Sequence, residues 1–180
     1  MSLSAIKARI DQLLYDMASI IFSAVIIIMI VFTFFFRVAG VVGPSMIPTL
    51  HDGDKLLVSP VLKEPARGDI VIIIQPNFLH ESLVKRVIAV EGETVDIDFA
   101  RGLVFVDGKV IQEPYINGKT TDKHDVDFPL TVPEGKVFVL GDNRHHSTDS
   151  RTKDIGFVDE NYILGKVIGR VFPRDSWEVK

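Results

Sequence analysis

One uninterrupted apolar run constrains this chain more than any other feature of its sequence. Residues 17–36 read MASIIFSAVIIIMIVFTFFF and contain no charged side chain. A helix of this length spans about 30 Å, which matches the hydrocarbon core of a bilayer. The run is apolar on every face, whereas the core helix of a soluble domain carries a single apolar stripe. We therefore predict a transmembrane helix over residues 17–36.

The run could also be a secretory signal that is cleaved off. Such a signal has a shorter apolar region, of about 7–15 residues, and ends in a small-x-small site. Here the run ends in three phenylalanines and Arg37, which favours an uncleaved signal anchor. Lys7 and Arg9 precede the span, and the positive-inside rule places such a flank in the cytosol. We expect residues 37–180 on the extracytoplasmic side of a cytoplasmic membrane that the chain crosses once.

Residues 1–16 allow two interpretations. Apolar side chains recur there at helical spacing, which is typical of an amphipathic helix lying at the cytosolic interface. These side chains are Ile6, Ile10, Leu13, Leu14 and Met17. A plain continuation of the membrane helix explains the same spacing, and both interpretations stay open.

After Arg37 the pattern changes from one long helix to short strands separated by glycine and proline. Asp107-Gly108 between two β-branched segments is a strong signal for a tight hairpin. The pattern predicts an all-β domain, built as coiled antiparallel sheets or a partly open barrel, with residues 112–133 as a peripheral loop or ribbon. The predicted strands are residues 55–58, 69–75, 83–90, 94–98, 103–106, 109–111, 136–140 and 166–172.

Composition excludes several classes of function. The chain has no cysteine, so no disulfide, thiolate metal site or cysteine nucleophile is expected. Its net charge is −4 with both signs interspersed, which does not resemble a nucleic-acid footprint. We expect no nucleic-acid partner, no metal and no cofactor.

Two residues could act together as nucleophile and base. Ser45 follows Gly43 and Pro44 in a segment whose prolines restrict the backbone, so its hydroxyl could be presented rigidly. Lys85 lies in an otherwise apolar predicted strand next to Arg86, and alternation predicts that only one of the two faces the core. If Lys85 is the buried one, desolvation lowers its pKa and provides a neutral amine as base. A solvated lysine and an ordinary turn serine are the alternatives.

A third polar cluster follows the predicted strand over residues 136–140. It reads GDNRHHSTDSR and contains adjacent histidines, His145 and His146, near Asp142 and Asp149. Neighbouring histidines on extended chain are poor shared ligands, so we favour a hydrogen-bonded loop over a metal site.

Four segments, in order and at matching spacing, resemble the boxes of the bacterial type I signal peptidases. They are Ser45-Met46-Ile47-Pro48-Thr49, Gly68-Asp69-Ile70-Val71, Lys85-Arg86-Val87-Ile88, and Gly141-Asp142-Asn143-Arg144 with Ser147, Asp149, Ser150 and Arg151. The resemblance implies a membrane-bound serine endopeptidase that removes signal peptides from secretory preproteins after small-x-small sites. The implied location is the bacterial cytoplasmic membrane.

The resemblance also implies roles for individual residues. Ser45 would attack the scissile carbonyl and Lys85 would act as general base, in the Ser–Lys variant of serine-hydrolase chemistry. Ser147 would orient the Lys85 amine. Asp142 would pair with Arg86, and Asp149 with Arg151.

The resemblance implies the Ser45 N–H as one oxyanion-hole donor. Some family members provide a second donor as a side-chain hydroxyl two residues before the nucleophile, but this position is Gly43 here, as in many members from Gram-positive bacteria. We expect the backbone N–H of Gly43 to replace that hydroxyl. The substrate would add as a strand beside residues 82–84, over shallow apolar pockets. The expected substrate-binding residues are Val41, Met46, Leu50, Ser82, Leu83 and Val84.

Other interpretations of the same sequence remain. An anchored, non-enzymatic β-domain for binding or assembly would keep Ser45 and Lys85 apart. A specialised peptidase would act on a narrow set of substrates. An apolar rim that enters the bilayer is a further expectation, with Phe36, Phe78 and Leu79 as candidates.

Overall fold

The computed structural model describes residues 3–61, 64–74, 82–173, 177 and 179. The chain forms two compact units, Met1–Phe36 and Arg37–Lys180. The first unit is a helix, α1, over Leu3–Phe35. It runs without a break through the segment that precedes the predicted span, so one continuous helix includes both. Phe78 and Leu79, the loop residues predicted to enter a bilayer, lie outside the described residues.

The composition of α1 fits a membrane anchor. The helix over Ile6–Phe35 is long and apolar enough to cross a bilayer, and its most apolar window of 18 residues has a mean hydropathy of 2.8. The hydroxyls of Ser23 and Thr33 donate to helix carbonyls four residues earlier, at 2.9 Å and 2.7 Å. These polar groups would therefore enter hydrocarbon already hydrogen-bonded, which lowers the cost of burying them there.

The second unit consists of two antiparallel sheets, which confirms the predicted all-β class. The larger sheet has the order β1-β2-β11-β3-β4-β9-β10, and the smaller has the order β7-β6-β5-β8. The strands are β1 (Arg37–Gly40), β2 (Lys55–Ser59), β3 (Ile70–Ile74), β4 (Ser82–Val90), β5 (Thr94–Asp98), β6 (Leu103–Val106), β7 (Lys109–Val110), β8 (Leu130–Thr131), β9 (Lys136–Leu140), β10 (Val158–Asp159) and β11 (Ile163–Phe172).

The predicted hairpin at Asp107-Gly108 is present between β6 and β7. Both turn residues have positive φ, 51° and 72°, as a two-residue type I′ turn requires. Three strands were not predicted, namely β1, β8 and β10, because these short segments lack the β-branched run or the Asp-Gly turn that marked the predicted strands. Strand β3 begins at Ile70, one residue after the start of the predicted strand over 69–75, and Gln75 lies outside the described residues.

The two central strands β3 and β4 are covered on both faces. Ile70 and Ile72 pack into one core cluster with Val84. Val71 and Ile73 pack into another with Val87. Alternating residues of each strand therefore enter different clusters, which explains why β3 reads IVIII rather than alternating apolar and polar.

Candidate active site

Ser45 lies in the loop between β1 and β2, where a compact turn presents it. The Ile47 N–H donates to the Pro44 carbonyl at 3.2 Å, and the Leu50 N–H to the Met46 carbonyl at 2.9 Å. Met46 and Leu50 are buried in the core cluster that contains Ile70 and Ile72 of β3. The residues after Ser45 therefore fix the loop to the larger sheet. The serine itself is half-buried.

Lys85 lies near the middle of β4 and is 2% exposed. Its Nζ donates a hydrogen bond to Ser45 Oγ at 2.9 Å. Burial lowers the pKa of Lys85 to about 8. The carboxylates of Asp149 and Asp142 oppose this effect, whereas the Arg151 guanidinium adds to it. An amine with this pKa is partly uncharged near neutral pH and can accept the proton of the hydroxyl it contacts.

The expectation that only one of Lys85 and Arg86 faces the core is wrong. Both side chains are buried. Strand alternation does send them to opposite faces, but β4 lies between two core clusters and neither face is open to solvent.

Arg86 forms a buried bidentate ion pair with Asp142, the pairing that the resemblance implies. Its Nε and Nη2 donate to the two carboxylate oxygens at 2.8 Å and 2.7 Å. The Thr49 hydroxyl donates to the same carboxylate. Tyr115 stacks on the guanidinium, whose carbon lies 3.9 Å from the ring centre. Asp142 therefore connects the Ser45 loop to the strand that carries Lys85.

Asp149 and Arg151 form a second buried pair next to the first. Arg151 Nε and Nη2 donate to the Asp149 oxygens at 2.8 Å and 2.9 Å. The Gly141 N–H donates to the same carboxylate at 3.0 Å. Burial alone would raise the pKa of Asp149, but the hydrogen bonds and the charge of Arg151 hold it below its usual value. The Arg151 guanidinium thus favours the carboxylate form of Asp149 inside the fold.

The Ser147 hydroxyl makes no hydrogen bond with the Lys85 amine, contrary to the expectation. Its Oγ is buried, and its position beside Asp149 helps to lower the pKa of that carboxyl. The hydroxyl packs against Gly141, where an added Cβ would lie 2.2 Å from Ser147 Oγ and 2.6 Å from the Ser45 carbonyl oxygen. Glycine is therefore required at position 141, because the Ser45 loop and the Ser147 side chain both approach its Cα.

The backbone donors near Ser45 differ in availability. The Gly43 N–H, expected to complete the oxyanion hole, donates instead to Asp52 Oδ1 at 2.9 Å. The Ser45 N–H has no acceptor in the described part of the chain. In this conformation the Ser45 N–H is free for an oxyanion, and the Gly43 N–H is already bonded.

The six residues expected to bind substrate fall into two groups. Val41, Met46 and Leu50 are at most 3% exposed, so their side chains are core residues with almost no accessible surface. Ser82 is exposed, and Leu83 and Val84 are half-buried on β4. Their roles in substrate binding stay predictions.

The edge of β4 next to these residues is open. Residues 82–84 pair with β3 on one side. On the other side, β9 pairs with β4 only from Arg86 onward. The backbone at 82–84 therefore has a free edge, within the described residues, that another extended strand could join.

His145 does not face Ser45 or Lys85. Its Nδ1 lies 2.8 Å from Asp122 Oδ2 in a half-exposed hydrogen bond. No group of three or more His, Cys, Asp or Glu that could hold a metal ion occurs among the described residues.

A family model described as signal peptidase, peptidase S26, matches residues 14–172. Signal peptidase I T of Bacillus subtilis is 41% identical over 153 residues, which cover 79% of this chain and 77% of that protein. Probable signal peptidase I-1 of Synechocystis is 38% identical over 144 residues, covering 74% and 69%. A crystal structure of a signal peptidase I from Enterococcus faecalis is 32% identical with a TM-score of 0.47, covering 57% of this chain and 96% of that one. The family match and the two sequence relatives establish that the chain belongs to the signal peptidases of peptidase family S26.

Proposed function

We propose that Ser45 and Lys85 are the catalytic dyad of this signal peptidase, a serine endopeptidase that removes signal peptides from preproteins. The observation that carries the assignment is the 2.9 Å contact between a buried lysine amine and the serine hydroxyl. Hydrogen-bond reach between nucleophile and base is the geometric requirement for this chemistry. A non-enzymatic β-domain has no need to bury a lysine against a serine, so this contact disfavours that alternative.

The proposed reaction proceeds in two steps. Uncharged Lys85 accepts the hydroxyl proton as Ser45 Oγ attacks the scissile carbonyl, and the Ser45 N–H stabilises the oxyanion. Lys85 then gives its proton to the leaving amine, which leaves an acyl-enzyme on Ser45. A water molecule then attacks the ester as it transfers a proton to Lys85. When the second tetrahedral intermediate collapses, Lys85 returns this proton to Ser45 Oγ, which releases the acyl product as an acid and restores the hydroxyl.

The substrate would bind as an added strand along residues 82–84. The open edge of β4 supports this mode, because an extended chain could satisfy the backbone groups that β9 leaves unpaired. Small side chains on alternate substrate residues suit a surface whose nearest apolar groups, Leu83 and Val84, are half-buried.

The helix α1 would anchor this domain in the cytoplasmic membrane with the N-terminus in the cytosol. Lys7 and Arg9 before the span support this orientation. Anchoring keeps enzyme and membrane-inserted preprotein in one surface layer and raises their effective concentration.

The test is single-turnover cleavage of a preprotein by the full-length chain in detergent micelles. Ser45→Ala and Lys85→Ala should each reduce the rate by at least about 1,000-fold while the protein stays folded. The matched control is Lys166→Ala, which removes a half-buried lysine paired with Asp69 at 2.7 Å and should retain activity. Near-normal cleavage by either dyad variant would overturn the assignment.

A further inference from the structure

Asn143 holds the peptide groups on both sides of Ser45. Its backbone N–H donates to the Ser45 carbonyl at 3.0 Å. Its side-chain Nδ2 donates to the Pro44 carbonyl, also at 3.0 Å. The residue is 4% exposed and directly follows Asp142, whose carboxylate is fixed by Arg86. One buried residue on a braced loop thus restrains both carbonyls that flank the Ser45 Cα.

The restraint on the Pro44 carbonyl has a consequence for the Ser45 N–H. The two groups belong to the same peptide plane, and in a trans peptide they point in opposite directions. A hydrogen bond that fixes the carbonyl therefore also fixes the direction of the N–H. That N–H has no acceptor among the described residues. It is therefore available to a ligand at the edge of the peptide opposite the Pro44 carbonyl.

We infer that Asn143 is a positioning residue that aims the Ser45 N–H at the oxyanion formed during cleavage. This inference rests on the proposed Ser–Lys mechanism. Asn143 would touch no reacting atom and would act only through the Pro44–Ser45 peptide. An oxyanion donor is effective when it is fixed in advance at the place where charge develops, so its direction matters as much as its presence.

The fold of the loop does not depend on this side chain. The Pro44 carbonyl also accepts the turn hydrogen bond from the Ile47 N–H at 3.2 Å. Farther along, the Thr49 hydroxyl bonds Asp142, and Met46 is buried in the core. Removal of the Asn143 amide should leave the turn formed but give the peptide at Ser45 more freedom to rotate.

The experiment compares Asn143→Ala and Asn143→Asp with the wild-type full-length protein in micelles. We expect kcat to fall about 10- to 100-fold, less than the loss seen on deleting an oxyanion donor, with KM within about threefold. Affinity for a peptide aldehyde, which forms a tetrahedral adduct with Ser45, should fall by a similar factor. Affinity for the same peptide with a methyl group in place of the aldehyde should not change, because that peptide has no oxygen to place at the oxyanion donor.

Two further readouts separate positioning from a general structural effect. In a plot of kcat/KM against pH, the midpoint of the fall on the acid side should be the same in Asn143→Ala as in the wild type, because the contact between Lys85 and Ser45 is intact. Asn161→Ala, which removes a side-chain amide hydrogen bond to Asp159 Oδ1 at 2.8 Å outside the loop of residues 141–151, should keep kcat within about threefold. Asn143→Asp retains the side-chain volume and carries the test if Asn143→Ala does not fold.

The possible outcomes are distinct. Wild-type kcat in a folded Asn143 variant, or equal losses of affinity for the aldehyde and for its methyl analogue, would overturn the positioning role. If Ser45→Ala and Lys85→Ala are inactive in the same assay, that failure concerns Asn143 alone. If those two variants keep cleaving, the dyad itself is wrong.

Discussion

The Lys85 amine lies 2.9 Å from the Ser45 hydroxyl oxygen, although 40 residues separate them in the chain. The serine comes from a loop and the lysine from a strand in the middle of the larger sheet. Buried ion pairs on either side, Arg86 with Asp142 and Arg151 with Asp149, fix the surroundings of this contact. The chemistry therefore depends on how far the fold desolvates one lysine.

The first prediction concerns the pH dependence of cleavage. Burial lowers the pKa of Lys85 to about 8, and only the uncharged amine can act as base. On the acid side, kcat/KM should therefore fall about tenfold per pH unit below about pH 8 and level off above it. The measurement is kcat/KM of preprotein cleavage from about pH 6 to pH 10. A rate that stays constant down to pH 6 would show that Lys85 is not the base.

The second prediction concerns the cost of burying Lys85. The ordinary pKa of a lysine amine is 10.5, and burial lowers the pKa of Lys85 to about 8 in the folded protein. Between these values the unfolded chain binds more protons, so the free energy of unfolding rises with pH across this window. Below about pH 8 both states are charged and the full penalty is present. Lys85→Met should therefore raise the free energy of unfolding by about 1–3 kcal/mol at pH 7.

Urea unfolding of the full-length protein in micelles, followed by near-ultraviolet circular dichroism, measures this gain. The gain should shrink as the pH rises toward 10, and the variant should be inactive. Lys119→Met replaces an exposed lysine and should change stability little. A Lys85→Met protein less stable than wild type at pH 7 would mean that the lysine is not strained by burial.

The strands of the core could be predicted because their sequence signal is local. β3 and β4 are apolar runs of β-branched residues, and the Asp107-Gly108 turn depends on two adjacent residues. β1 could not be predicted, since most of its side chains are exposed and only pairing with β2 makes it a strand. The same limit affected Lys85 and Arg86, whose joint burial depends on what covers the two faces of β4.

The missed parts of the site come from residues 112–133, predicted as a polar loop or ribbon. Glu113 pairs with Arg144 inside the fold, and Tyr115 stacks on Arg86. Burial raises the pKa of Tyr115 to about 12, with Glu113 adding to the effect. Neither contact leaves a periodic pattern, because each joins an irregular segment to a distant loop or strand. Asn143 and Thr49 lay inside the quoted motifs, yet only the structure gives them partners.

The third prediction concerns Gly141. A Cβ at this position would lie 2.2 Å from Ser147 Oγ and 2.6 Å from the backbone oxygen of Ser45. The serine side chain could rotate, but the backbone oxygen moves only with the whole loop. Gly141→Ala should therefore lower activity at least about 100-fold, because displacements near 1 Å have that effect on catalysis.

Single-turnover cleavage, with the unfolding midpoint measured in parallel, tests this prediction. Gly108→Ala is the control, since its added methyl group meets nothing within 4 Å and only the turn is strained. This control should lose about 1 kcal/mol of stability and keep its activity. Full activity in Gly141→Ala would mean that the Ser45 loop tolerates displacement.

The last prediction concerns the ion pair between Glu113 and Arg144. The two side chains are 6% and 0% exposed, and Arg144 Nε also donates to the Gly141 carbonyl at 3.0 Å. Glu113→Gln keeps the shape but leaves a buried guanidinium without its counter-charge, which costs about 3–5 kcal/mol in comparable pairs. Asp127→Asn, which breaks an exposed pair with Lys123, should cost less than about 1 kcal/mol.

The Glu113→Gln substitution should also affect catalysis. Because Arg144 braces the loop around Gly141, Glu113→Gln should lower kcat. Urea unfolding measures the loss of stability, and single-turnover cleavage measures the loss of activity. Losses no larger than those of the exposed pair would show that residues 112–133 do not support the active site.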